Sequence, residues 1–137
     1  MFFKNNNNEN KNEDLIKVAA LLIHAAKIDQ DFSLQEEEIV QKTLLEIGAN
    51  QNNIQDIIIN AKKIEENSNQ ILEFTKEVKN MKNTNKIKIV ESLWRIIYSN
   101  KKADIYETNL MRRLTGLLYI DSKTMGDIKS RIEKENS

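Results

Sequence analysis

Two aspartates and three glutamates crowd the segment HAAKIDQDFSLQEEEIV, His24 to Val40. Asp29, Asp31 and Glu36 offer hard oxygen donors of the kind Ca²⁺ or Mg²⁺ binds. Packed into one tight corner, these acids would repel one another unless solvated or bridged by a cation. Asn100 and Glu107 repeat the spacing of Asp29 and Glu36 further along. There an asparagine stands for the aspartate and Lys101 and Lys102 follow, so a lysine ammonium could neutralise Glu107 without metal. The first corner is the better candidate.

A second reading of the glutamates stands beside the first. Ser33-x-x-Glu36 and Asp104-x-x-Glu107 both have the pattern of a capping box, in which the first side chain accepts a free helix-start N–H and the glutamate reaches back to the cap residue's N–H. A carboxylate there also suits the helix dipole. Capping leaves Asp29 unexplained, because it follows the end of the preceding helix, where the dipole disfavours an anion; it could serve the turn instead. The opening DQDFS is not an EF-hand loop: Leu34 occupies the glycine position and Val40 the bidentate-glutamate position.

Other chemistry finds little support. With no cysteine and one histidine, disulfides, thiolate zinc sites, thiol catalysis and histidine-rich metal sites are excluded. His24 lies within an apolar helix and reads as a hydrogen-bonded core or boundary residue. Trp94 and Tyr98, one helical turn apart, read as core packing. Arg112 and Arg113 read as a solvated helix face, with pairing to acidic neighbours or a partner as the alternative. No glycine-rich phosphate loop, nucleophile elbow or zinc-protease helix is present, so the reading is non-catalytic, with a metal-dependent enzyme as a weaker alternative on the same carboxylates.

The elements that position these residues are helices. Lys plus Arg and Asp plus Glu each total 21 in a chain of 137, leaving no net field for nucleic acid or an acidic membrane surface. The length suits one domain with a conventional core. Three glycines, no proline and apolar residues at three- and four-residue spacing predict an all-α fold. The expected helices run from Glu13 to Lys27, nearly apolar all round and hence central; from Ser33 to Gly48; from Asn50, a candidate cap, to Glu66; from Ser68, with Ile71, Leu72, Phe74, Thr75 and Val78 inward; from Lys86 to Ser99; from Asp104 to Leu118; and, capped by Asp121 or Ser122, over SKTMGDIKSRIEK to Lys134. Helical spacing turns Glu36 inward with Val40, Thr43, Leu44 and Ile47, and Glu37 and Glu38 outward. Lys79 to Asn85 is a polar connector.

Residues 1–12, asparagine-rich, form an expected disordered tail before a single domain over 13–137. The first residues lack the basic start, apolar stretch and cleavage site of a secretory signal, and the longest apolar run, Val18 to Ile28, is about half the ~20 residues that cross a bilayer. A cytoplasmic location is the default expectation. Displacing the chain by 71 residues sets Leu22 on Leu93, Glu36 on Glu107, Ile39 on Leu110, Ile47 on Leu118, Ile54 on Met125 and Asp56 on Asp127. About seven helices in two pseudo-symmetric halves follow.

The stretches LLIHAAKIDQDFSLQEEEIV, ILEFTK and SLWRIIYSNKKADIYETNLMRRLTGLLYI, in this order, resemble bacterial proteins of the tellurite resistance protein B-like (TerB-like) family. The family's repeated aspartate-glycine corner, with a glutamate seven positions after the aspartate, falls on Asp29 and Glu36 and again on Asn100 and Glu107. Gln30 and Lys101 replace both glycines. The resemblance implies an all-helical bundle with a divalent-metal site at these corners, a link to stress responses, and a scaffold rather than a catalyst, so that protein partners, some membrane-associated, are expected and no small-molecule substrate is identifiable.

Overall fold

A computed structural model of the chain describes residues 2–29, 32–68, 71–99 and 105–135, with side chains from residue 12 onward and that of residue 29 excepted. Seven α-helices and a short 3-10 turn, Lys27–Asp29, are the regular elements of the described residues, which contain no strand. The helices are α1, Phe2–Ala26; α2, Leu34–Ile47; α3, Ile54–Asn67; α4, Leu72–Val78; α5, Asn83–Tyr98; α6, Ile105–Leu117; and α7, Ser122–Glu135. The fold class expected from the periodicity is the one observed.

α1 is central because its sequence leaves it no polar face. From Leu15 to Ala26, only Ile16, Lys17 and His24 escape full burial, and the helix packs on α2, α3, α4 and α5. A helix apolar all round is stable in water only when neighbours cover every side. α5 is the second such element, with Ile89, Val90, Leu93, Trp94, Ile96 and Ile97 essentially inaccessible. It packs on α1 and α2, and carries α7. A hydroxyl hydrogen bond between Thr43 and Ser92 links α2 to α5 inside this core.

Boundaries follow local chemistry. Gly48 ends α2 at φ 133°, and the Ala49 N–H closes on the Leu44 carbonyl at 2.8 Å. Such a left-handed stop favours glycine. α6 ends in the same way seventy-one residues later, the Ile120 N–H reaching the Thr115 carbonyl at 3.1 Å, but here Tyr119 adopts the positive φ, 55°. The two ends of the proposed repeat therefore share a hydrogen-bond pattern while differing in the residue that makes it. Asp121, rather than Ser122, caps α7: its carboxylate accepts the Thr124 N–H at 2.8 Å and the Thr124 hydroxyl at 2.7 Å.

Several expected boundaries shift. α1 extends back to Phe2, before the expected start at Glu13. Asn50 begins a turn before α3, its carboxamide oxygen accepting the Asn52 and Asn53 N–H groups, so the helix proper opens at Ile54. Ser68 ends α3 and donates its hydroxyl to Glu73 at 3.0 Å. Leu72 is exposed, not inward, because α4 turns Ile71, Phe74, Thr75 and Val78 to the core instead. α5 starts at Asn83, shortening the connector, and Lys86 is buried with its Nζ donating to the Leu118 carbonyl at 3.0 Å. A lysine stem can lie along apolar surface while its ammonium finds a backbone acceptor.

Candidate functional site

At the first corner the structure builds the capping box that the spacing predicted. Ser33 sits in extended backbone, its Oγ accepts the Glu36 N–H at 3.1 Å, and Glu36 Oε1 accepts the Ser33 N–H at 2.9 Å. Two helix-start donors are thereby satisfied at once. Glu36 is only 3 % exposed, which fits its place on the inward stripe with Val40, Thr43, Leu44 and Ile47. Glu38 is exposed; Glu37 is half-buried and lies 3.7 Å from Lys62, whose ammonium also stands 5.6 Å from the centre of the Phe32 ring. The Asp29 side chain and Asp31 lie outside the described residues.

Glu107 occupies the matching place in the first turn of α6 and is 2 % exposed. Asn100, Lys101, Lys102 and Asp104 lie outside the described residues, so the structure brings together Ser33 and Glu36 of the expected set and places Glu107 on the inner edge of its helix. Among the described residues, no three Asp, Glu or His side chains converge in a metal-binding group.

His24 is at the boundary, with its Nδ1 3.4 Å from a carboxylate oxygen of Glu65. Lys27 Nζ donates to the other oxygen at 2.8 Å. Glu65 itself is buried on α3. The signal for it was present, since Glu65 continues the Ile54, Ile58, Ala61 stripe at helical spacing. A buried carboxylate there needs the two cationic or hydrogen-bonding partners that His24 at the end of α1 and Lys27 in the 3-10 turn supply.

A second feature was not expected. α6 packs on α4 and α7 packs on α5, and between α6 and α7 lies a groove of about 550 Å³. Trp94, Met111, Met125 and Ile120 form its apolar base, and all four are buried. The Trp94 indole N–H points at the Met125 sulfur at 3.4 Å, and the ring stacks on Tyr98 at 5.9 Å, as the core reading of this pair required. Arg112 stands on one side, and Lys129, on the other, holds its ammonium 5.6 Å from the Trp94 ring centre. Arg112 makes no ion pair among the described residues. The Asp121 carboxylate at the groove's end is already engaged by Thr124, whose N–H and hydroxyl hold its pKa below the usual carboxylate range.

Two of the chain's three glycines line this groove, Gly116 on α6 and Gly126 on α7. Neither has a positive φ, and a Cβ built on either meets nothing within 4 Å. Glycine inside a helix is less favourable than alanine by about 0.8–1.0 kcal/mol. Packing among the described residues therefore gives no reason for either residue. Gly126, a full turn inside α7 and so not a stop signal, was the readable clue; Gly116 stands in the last turn of α6.

Among the described residues no helix is long and apolar enough to cross a membrane. No curated protein and no solved structure matches the chain significantly. A family model described as tellurite resistance protein TerB matches residues 15–130, a span that opens at the buried Leu15 of α1 and closes within α7. With its all-helical core, its paired buried glutamates and this match over most of its length, the chain belongs to the tellurite resistance protein TerB family.

Proposed function

We propose that this chain is a non-catalytic interaction module that seats part of a protein partner in the groove between α6 and α7. The observation that supports the reading most strongly is the combination of an apolar base with helix walls kept bare at Gly116 and Gly126. Concave apolar surface rimmed by polar groups is the ordinary form of a binding site. Of the carboxylates on which an enzyme reading would rest, Glu36 is engaged in its capping box. The family's description suggests a place for such a module in tellurite or related stress responses, and a cytoplasmic setting with protein partners suits that role.

Site-directed photo-cross-linking in the source cells tests this. A photoreactive residue at Thr108, on the groove's edge, is expected to yield a discrete protein adduct, whereas one at Glu133 on α7, which does not line the groove, yields none. Equal labelling from both positions, or none from Thr108, overturns the reading.

A divalent cation, Ca²⁺ or Mg²⁺, at the first corner is the second reading. Asp29, Asp31 and Glu36 would hold it through carboxylate oxygens, with Asn100 and Glu107 as the weaker counterpart. Its support is a buried, inward carboxylate at Glu36 with one oxygen on the Ser33 N–H, in a family whose resemblance implies metal at this corner. Glu36→Gln keeps a capping acceptor and removes the charge. A Ca²⁺- or Mg²⁺-dependent rise in melting temperature, lost in Glu36→Gln and Asp29→Asn, supports the ion. No shift at millimolar concentration contradicts it.

A further inference from the structure

We infer that the occupant of the α6–α7 groove is an amphipathic helix flanked by acidic residues. The inference rests on the docking role proposed above and adds the chemistry of the partner. Its first support is internal to the chain. At the 71-residue displacement, Gly116 and Lys129 stand where the first half has Leu45 and Ile58. Ile58 is 1 % exposed and Leu45 is packed against the core, so the first half covers its corresponding surface with its own side chains. The second half replaces both with residues that cannot fill the space, and adds Gly126 where the first half has Gln55. What α2 and α3 supply for themselves, α6 and α7 leave to another apolar side chain set.

The second support is charge. Arg112 has no ion pair among the described residues, Lys129 lies over the indole, and the one carboxylate lining the groove, Asp121, is held by Thr124. The rim thus presents cations from both walls with no ion-pair partner among the described residues. Complementary charge steers encounter and rejects wrong partners more than it adds affinity. Glutamates or aspartates flanking the partner's apolar stripe fit this rim, while lysines meet repulsion. A helix suits the walls because glycines allow a close backbone approach, and apolar anchors at i, i+3, i+4 and i+7 would face Trp94, Met111 and Met125.

Trp94 is the only tryptophan in the chain, so its fluorescence reports on the groove directly. The probes are two synthetic helices of about 16 residues with the same leucine stripe, one flanked by glutamates and one by lysines. The glutamate peptide is expected to change Trp94 emission saturably and to bind at least tenfold more tightly than the lysine peptide. Arg112→Glu with Lys129→Glu should reverse that order in a protein whose melting temperature shows it folded. Gly126→Leu should abolish binding of both. Equal affinity for the two peptides overturns the charge argument, and stronger association with phosphatidylglycerol vesicles than with either peptide overturns the helix. Concentration-dependent self-association that blocks the peptide assigns the groove to a second copy and also overturns it. If Thr108 yields its cross-link in cells while the glutamate peptide does not bind, the docking role stands and this inference alone fails.

Discussion

Replacing Gly126 with alanine should make the protein more stable, and by an amount the structure allows to be stated. Gly126 lies a full turn inside α7, and its added Cβ meets nothing within 4 Å, so no packing cost opposes the change. What remains is helix propensity, about 0.8–1.0 kcal/mol in alanine's favour in a helix interior. Part of that gain is the lower entropy of the unfolded chain. At this chain length about 1 kcal/mol corresponds to a rise of roughly 2–6 °C in melting temperature. With a urea slope of roughly 1–3 kcal/mol/M, the midpoint moves up by about 0.3–1 M with the slope unchanged. Parallel thermal and urea unfolding of Gly126→Ala and the parent measures both. A lower melting temperature in the variant refutes the reasoning, because it means that the methyl collides with a neighbour and that α6 and α7 approach more closely than described. Gly116→Ala, nearer its helix end, should gain a few tenths of a kcal/mol, and the two should add if the walls are independent.

Glu36→Gln should cost less than about 1 kcal/mol and Glu36→Ala about 1–2 kcal/mol in urea unfolding, because only the alanine variant leaves the Ser33 N–H without its acceptor; equal losses would show that charge, not capping, matters there. Burial, then the neighbouring Glu77, raise the Asp14 carboxyl against the opposing pull of Lys17. Its folded form therefore holds a proton more readily than the unfolded chain, so its penalty is full above the raised value and absent below the ordinary carboxylate value. Asp14→Asn should melt higher than the parent at neutral pH, with the gap closing on acidification through that window; a gap constant with pH would contradict the assignment. Deleting residues 1–11, whose composition offers little apolar surface, should change the melting temperature by no more than about 2 °C, under 1 kcal/mol at this length, and a loss beyond about 5 °C would show that the segment packs.

The fold was legible because helical periodicity is carried by many residues at once. The all-round apolar character of Leu15 to Ala26, the Ser33 and Glu36 pair and the Gly48 stop each act locally, so their spacing alone fixed a central helix and the start and end of α2. Leu72 and Asn50 misled for a physical reason. A short helix can turn either of two adjacent apolar residues inward, and Asn50 bonds a turn that precedes the helix it was expected to cap. The buried glutamates were readable from their stripes, and Glu65 could have been found by the same rule. The groove was not legible, because it depends on α6 leaning on α4 while α7 leans on α5. Only Gly126, inside α7, and Gly116, in the last turn of α6, hinted at it, and they carry meaning once the space beside them is known to be open.

The central claim is that the α6–α7 groove binds a partner and that its bare walls serve binding rather than folding. Gly126→Leu starts its side chain from a Cβ position with nothing within 4 Å and extends it along the groove, so folding and docking should part company in one variant. The most direct measurement pairs its melting temperature with the Thr108 cross-link in cells. The account predicts a melting temperature equal to or above that of the parent together with loss of the adduct. A stable variant that still forms the adduct at parental yield would contradict it.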